Sequence, residues 1–187
     1  FPIPSLHTQT PFPSRIACIL PLHDTGFSAR MQDRPVKRTV SPPFAPSERM
    51  TFMAVNSALL VAYARAARVH AYCPYSGFPV GAALLASSGE VYCGVNCESA
   101  SYGATICAER AALTAAVTAG ETAFVALAVA AGEEPVPPCG VCRQLLAEFG
   151  DMAVICAAGE PGAQGDPLRE TTLSALLPDA FTRRDLA

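Results

Sequence analysis

Residues 107–142 read CAERAALTAAVTAGETAFVALAVAAGEEPVPPCGVC, and this stretch contains two predicted helices with a strand between them. The alanine-rich run from Cys107 to Ala119 has no helix breaker and stops at Gly120, which predicts a helix. The run from Ala123 to Ala131 is apolar throughout, which is typical of a strand covered on both faces. A second short helix is predicted over 140–149, ending before Gly150. A doubly covered strand between two helices predicts helices packed on a sheet.

The flanking sequence extends the same pattern. Further elements are predicted as a helix over 52–71, a hairpin of strands over 80–86 and 90–96, a strand over 154–158, and a last helical turn or two over 171–177. In the first helix, Arg65 and Arg68 are expected on the polar side. Strands that alternate with helices predict an α/β sandwich with a mixed central sheet.

Composition divides the chain into two parts. Residues 1–50 hold nine of the 17 prolines and show no hydrophobic period, so they are predicted to form a disordered N-terminal extension. Residues 51–187 are predicted to form a folded domain that carries the functional site. Hydrophobic residues make up 51% of the 187-residue chain, which is enough for a packed core. No apolar run reaches the roughly 18 residues that a membrane span needs, so no membrane partner is expected.

The charge distribution restricts the choice of partner. Residues 1–50 carry six Arg and Lys against three Asp and Glu, whereas residues 51–187 carry seven Arg against thirteen Asp and Glu. Binding to phosphates requires a basic face, so the acidic domain argues against a nucleic-acid partner. A small substrate without phosphates is expected instead.

Three of the eight cysteines have the spacing of a metal site. Cys139 and Cys142 form a C-x-x-C pair, and Cys107 precedes them by 32 residues. All three are predicted at or near the beginnings of helices, where free N–H groups stabilise thiolates. Three protein ligands with one position left for water are typical of catalytic zinc, so one Zn²⁺ per subunit is predicted. Cysteines used for metal binding favour a cytoplasmic location.

Glu109 lies two residues after Cys107, where its carboxylate can reach the open metal position and move protons. The segments Cys107-Ala108-Glu109 and Pro138-Cys139-Gly140-Val141-Cys142 match the zinc deaminase signature, H-x-E followed by P-C-x-x-C, with cysteine in place of histidine. Three thiolates leave about one net negative charge on a bound zinc ion, which makes water harder to ionise. Arg110 and Arg143 are therefore candidates to donate hydrogen bonds to the sulfurs.

From about residue 54 to 185, the sequence resembles the homotetrameric cytidine deaminase family. Five ordered blocks carry the resemblance: YSGFPVGAAL (75–84), GVNCE (94–98), CAER (107–110), PCGVCRQ (138–144) and LLPDAF (176–181). The resemblance implies a three-layer α/β/α sandwich with a sheet of about five strands. It also implies hydrolytic deamination of cytidine and deoxycytidine to uridine and deoxyuridine, with release of ammonia, in pyrimidine salvage.

The resemblance implies further site roles. Phe78 would line the pocket against the pyrimidine, and the Ala108 N–H would meet the base. Asn96 and Glu98 would bind the ribose 3′-hydroxyl, a role that suits an amide beside a carboxylate. Tyr102 and Phe181 would reach the site of a neighbouring subunit in the homotetramer.

The sequence departs from the family pattern at two positions, and it leaves two alternative functions open. The family usually has Val or Ile at Cys97 and Asn at Ser99, and both positions adjoin the sugar-binding pair. One alternative is a deaminase for an antibiotic nucleoside of the blasticidin-S type, although Cys-Ala-Glu-Arg and the Asn96/Glu98 pair favour cytidine. The other is a structural zinc-binding module, which needs a fourth protein ligand.

Overall fold

The structure, a computed structural model, describes residues 55–162 and 166–186, so the predicted extension over residues 1–50 lies outside the described range. The helices are α1 (Ser57–Arg68), α2 (Ala108–Thr118), α3 (Gly140–Ala147) and α4 (Leu173–Leu176). The strands are β1 (Val80–Ala86), β2 (Val91–Val95), β3 (Phe124–Ala131), β4 (Ala153–Ala157) and β5 (Leu168–Thr172). Short 3₁₀ turns cover Tyr102–Ala104 and Arg183–Leu186.

The five strands form one mixed sheet in the order β2-β1-β3-β4-β5. The hairpin strand β1 pairs antiparallel with both β2 and β3. The central strands β3 and β4 run parallel, and β5 pairs antiparallel with β4. This confirms the predicted mixed sheet and the strand count that the resemblance implied.

Alternate residues of β3 serve two separate cores, because successive side chains of a strand point to opposite faces. Leu127 and Val129 join a cluster with α2 and α3 residues such as Leu113 and Leu146. Alanines 126, 128 and 130 face a second cluster, built on Leu60 and its neighbours in α1. The sheet is therefore covered on both faces, as expected for the three-layer sandwich.

Glycine permits close packing of one helix on each face of the sheet. A Cβ at Gly81 of β1 would lie 2.0 Å from the carbonyl oxygen of Ala64 in α1. A Cβ at Gly94 of β2 would lie 2.3 Å from the Ala108 carbonyl oxygen and from the Ala112 nitrogen in α2. Both contacts are with backbone atoms, so no side-chain movement could relieve them.

The C-terminal part of the sheet corrects the predicted elements. The helical turn predicted over 171–177 is shorter, because Thr171 and Thr172 belong to strand β5. The Thr172 side chain accepts a hydrogen bond from Ala175 N and so caps α4. Strand β5 was missed because its sequence, LRETT, lacks an apolar alternation. It is an edge strand, and charged side chains are common on sheet edges.

The two α1 arginines also differ from expectation. Arg65 donates to the Ala158 carbonyl and forms a two-pronged ion pair with Asp166, at 2.6 and 2.5 Å. Arg68 donates to the carbonyl of Pro79 and to the carboxylate of Glu160. Both side chains are largely covered, and they connect α1 to the segment that follows β4.

Within the described residues, no helix combines the length and the apolar character needed to cross a bilayer.

Candidate metal centre and active site

Two helix N-termini bring the three predicted cysteines together. Cys107 is the N-cap residue of α2, and Cys139 is the N-cap residue of α3, each with extended backbone angles. Cys142 lies in the first turn of α3 and is fully buried. The unpaired N–H groups at these helix ends favour negative charge on the sulfurs.

The sulfur positions fit a tetrahedral zinc ion. The Sγ atoms of Cys107 and Cys139 are 3.8 Å apart, those of Cys139 and Cys142 are 3.5 Å apart, and all three lie within 4.8 Å of one another. Zn–S bonds of ~2.3 Å at tetrahedral angles place two sulfurs roughly 3.8 Å apart. Among the described residues this is the one group of three potential ligands. The chain thus supplies three donors for a zinc ion.

The electrostatics of the three-cysteine cluster also favour binding of a cation. Burial raises the pKa of the Cys142 thiol, and the charges of Glu109 and Cys107 reinforce the rise. Burial likewise raises the pKa of Cys107, together with the charge of Cys139. Thiolates packed this closely need a positive charge between them, and a metal ion provides it.

Glu109 lies in the first turn of α2 and is 4% exposed. Burial raises the pKa of its carboxyl group, while hydrogen bonds from its own backbone N–H and from Cys142 oppose the rise. An acid with a raised pKa, placed beside the sulfur cluster, suits proton transfer in both directions. Ala108, the first residue of the same helix, has an N–H with no acceptor inside the helix.

The two candidate arginines have different partners. Arg110 donates from Nη2 to the Thr105 carbonyl at 2.7 Å, whereas its buried Nε has no partner among the described residues. Arg143 donates from Nε to the Pro138 carbonyl at 2.6 Å and from Nη1 to the Leu176 carbonyl at 2.8 Å. Arg110 therefore keeps a free donor, while Arg143 ties the cysteine loop to α4.

The side chain of Asn96 forms hydrogen bonds with the backbone where the preceding loop enters β1. Its Oδ1 accepts from Val80 N at 2.9 Å, and its Nδ2 donates to the Phe78 carbonyl at 3.0 Å. One lone pair and one N–H remain for a substrate. Asn96 is buried, at 8% exposed. Its two hydrogen bonds hold the backbone at Phe78 and Val80 in place.

Glu98 lies in a cradle that the sequence did not reveal. Its Oε2 accepts from the backbone N–H groups of Tyr75 and Ser76, at 2.9 and 3.1 Å. Its Oε1 accepts from the Ser76 hydroxyl. Ser76 belongs to the YSGFPVGAAL block, but its residue type alone indicates no role there. Only its position two residues before Phe78, typical of a serine turn, could have indicated one.

Tyr102 and Phe181 are strongly exposed in the single chain, at 76% and 59%. Tyr102 packs edge-on against Tyr75, with ring centroids 6.1 Å apart. The two tyrosines line a cavity of about 360 Å³ with Ser76, Glu98 and Thr105. The Phe181 carbonyl accepts from Gln144 Nε2 at 2.6 Å, which fixes the C-terminal segment on α3.

Comparisons with known proteins agree with this site. The family model of the cytidine and deoxycytidylate deaminase zinc-binding region matches residues 55–158. A cytidine deaminase of Sporosarcina psychrophila is 50% identical over 131 residues, covering 68% of this chain and 93% of the relative. One from Halalkalibacterium halodurans is also 50% identical, over 129 residues, covering 68% of this chain and 96% of the relative.

Solved structures show the same likeness. The crystal structure of cytidine deaminase from Burkholderia pseudomallei is 46% identical, with a TM-score of 0.61, and the match covers 66% of this chain and 98% of that one. The family model spans more than half of the chain, and it includes all three cysteines and Glu109. With its five-stranded sandwich and its three-thiol zinc site, this chain belongs to the cytidine and deoxycytidylate deaminase family.

Proposed function

We propose that the chain catalyses hydrolytic deamination of cytidine and deoxycytidine to uridine and deoxyuridine, with release of ammonia. The observation that carries this proposal is the buried Glu109 carboxyl beside three converging cysteine sulfurs at two helix N-termini. Relatives about 50% identical are named cytidine deaminase, which supports the same substrate class.

We assign Cys107, Cys139 and Cys142 as the ligands of one zinc ion. A zinc ion held there would polarise a water molecule and so supply the nucleophile for attack at C4 of the base. The free Arg110 Nε–H is assigned to a ligand sulfur, where it would offset the excess negative charge. Arg143 would hold the cysteine loop through the Pro138 carbonyl.

Glu109 moves the protons. Its carboxylate takes a proton from the attacking water and delivers it to N3 of the pyrimidine, which makes C4 electrophilic. It then carries a proton from the hydroxyl group newly added at C4 to the exocyclic amino group. The C4–N bond breaks, and the amino group leaves as ammonia. A single carboxyl group can act as base and acid in turn when its pKa is raised towards neutrality, and burial acts in that direction here.

The proposed substrate contacts are those that the family resemblance implies. Phe78 would cover one face of the base, and the Ala108 N–H at the beginning of α2 would bind a base oxygen or nitrogen. Glu98, with the remaining N–H and lone pair of Asn96, would bind the 3′-hydroxyl of the sugar. The acidic domain favours an uncharged nucleoside over nucleic acid.

We further propose that four chains assemble and share their sites. Tyr102 and Phe181 are exposed aromatic side chains, and burial against a neighbouring chain would stabilise both. Reduced cysteines are needed for the metal site, so we propose a cytoplasmic location. The resemblance to cytidine deaminases is what supports the proposed role in pyrimidine salvage.

The two alternatives are weaker. A blasticidin-S-type deaminase is not favoured, because the relatives described above are named for cytidine. A structural zinc module needs a fourth protein ligand, whereas the cluster within the described residues contains three.

The test is to follow the ultraviolet absorbance of cytidine mixed with the protein. We expect conversion to uridine, loss of turnover after incubation with a chelator, and recovery on adding zinc. Blasticidin S, tested in parallel, should be turned over far more slowly. Bound zinc without any cytidine turnover would favour the structural module, and a preference for blasticidin S would favour the antibiotic deaminase.

A further inference from the structure

The carboxylate of Glu98 is nearly saturated before any substrate binds. A carboxylate offers about four acceptor positions. Three of them are taken by the Tyr75 N–H, the Ser76 N–H and the Ser76 hydroxyl. The Ser76 hydroxyl is the largest influence holding the pKa of Glu98 below its ordinary value. One acceptor position therefore remains on an ionised group that lines the 360 Å³ cavity.

Ser76 also reaches the residue proposed to cover the base. Its hydroxyl gives its single proton to Glu98 and accepts a hydrogen bond from Phe78 N at 3.0 Å. Gly77, which lies between Ser76 and Phe78, adopts a φ of +63°. This conformation, which glycine adopts without strain, turns the loop so that both hydrogen bonds of the Ser76 hydroxyl form at once. One hydroxyl group thus connects Glu98, proposed to bind the sugar, to the backbone of Phe78, proposed to cover the base.

We propose that Ser76 is a positioning residue for sugar recognition: its hydroxyl holds Glu98 so that the one remaining acceptor position selects nucleosides whose 3′-substituent donates a hydrogen bond. This inference rests on the proposed function, and it deepens the account of the same site. Ser76 itself need not touch the substrate. Without its hydroxyl, the carboxylate would keep only the two backbone N–H bonds to Oε2, and Oε1 would no longer be held in one position.

The experiment compares Ser76→Ala with wild type on two nucleosides, deoxycytidine and 2′,3′-dideoxycytidine, which lacks the 3′-hydroxyl. We expect kcat/KM for deoxycytidine to fall roughly 10- to 100-fold, mainly through KM, because a hydrogen bond to a charged group is lost. We expect kcat/KM for dideoxycytidine to fall clearly less, since this nucleoside makes no bond to Glu98 and is affected only through the lost contact with Phe78 N. Ser76→Thr, which keeps the hydroxyl, should restore most of the deoxycytidine activity.

A matched control lies at the turn between β1 and β2. The Ser88 hydroxyl donates to Glu121 at 2.6 Å, a serine–glutamate pair that takes no part in the proposed site. Ser88→Ala should leave both kcat/KM values unchanged. If Ser76→Ala does not fold, Ser76→Cys offers the same comparison, because a thiol is a much weaker donor.

Two results would overturn the inference in different ways. An equal loss of kcat/KM for both nucleosides would show that Ser76 supports the loop in general and not sugar recognition. A wild-type protein that does not deaminate deoxycytidine would overturn the proposed function, and this inference with it.

Discussion

Two arginines follow the zinc ligands in sequence, and their hydrogen bonds separate their roles. Arg110 keeps a buried Nε–H without a partner among the described residues, whereas Arg143 gives two donors to backbone carbonyls. A buried donor without an acceptor lowers the stability of the fold. We assign a cysteine thiolate of the metal site as its acceptor, since Cys107 lies only three residues before Arg110. Residue type and spacing alone made the two arginines equivalent, and only their contacts distinguish them.

Arg110→Gln is therefore expected to impair the chemistry. The variant should bind zinc but lose roughly 10- to 100-fold in kcat, since a hydrogen bond to a charged sulfur is worth ~1.5–3 kcal/mol. Arg143→Gln should instead lower the melting temperature with a smaller effect on kcat. Zinc content, kcat and thermal unfolding of both variants test this. Equal losses of kcat would contradict the separation of roles.

Among the elements, the contact between α1 and β1 depends on Gly81. A Cβ there would meet the Ala64 carbonyl oxygen at 2.0 Å, so Gly81→Ala must displace the helix. We expect a loss of ~1–3 kcal/mol in the free energy of unfolding, as is usual for overpacking. Gly103→Ala is the matched control, because an added Cβ there meets nothing within 4 Å. Denaturant unfolding compares them, and equal stabilities would refute the tight contact.

The ion pair between Arg65 and Asp166 predicts a pH dependence of stability. The hydrogen bond from Arg65 lowers the pKa of Asp166 below its ordinary value of 3.8. A lowered pKa stabilises the fold above the unfolded value, and this stability is lost as pH falls through the folded value. Asp166→Asn should therefore lower the melting temperature at pH 7 by about 2–4 °C. The difference should shrink below pH 3.8, and a constant difference would contradict the pairing.

Elements with a clear hydrophobic pattern were predictable, and elements defined by long-range contacts were not. Strand β3 follows from a continuous apolar run, and helix α2 from an alanine-rich run that ends before Gly120. Strand β5 was missed, since an edge strand with charged residues has no apolar alternation. Ser76 was likewise missed, because its partner lies 22 residues away along the chain.

For the whole molecule, the proposed tetramer makes a test possible that no single chain allows. Glu109→Gln and Phe181→Ala should each be nearly inactive if Phe181 completes a neighbour's site. Mixed assemblies, formed by co-expression, would contain some sites that combine an intact Glu109 with an intact Phe181 from the other variant. We expect partial recovery of cytidine turnover, and tetramers by light scattering. No recovery in mixed tetramers, or a monomeric active protein, would contradict shared sites.

The most direct measurement of the central claim is the zinc content and cytidine turnover of Glu109→Gln. Glutamine keeps the size of the buried side chain but cannot accept and return a proton. We predict one zinc ion per chain, as in wild type, with turnover reduced by roughly 10²- to 10⁴-fold or more. A variant that retains zinc and more than a few percent of wild-type turnover would show that another group moves the protons.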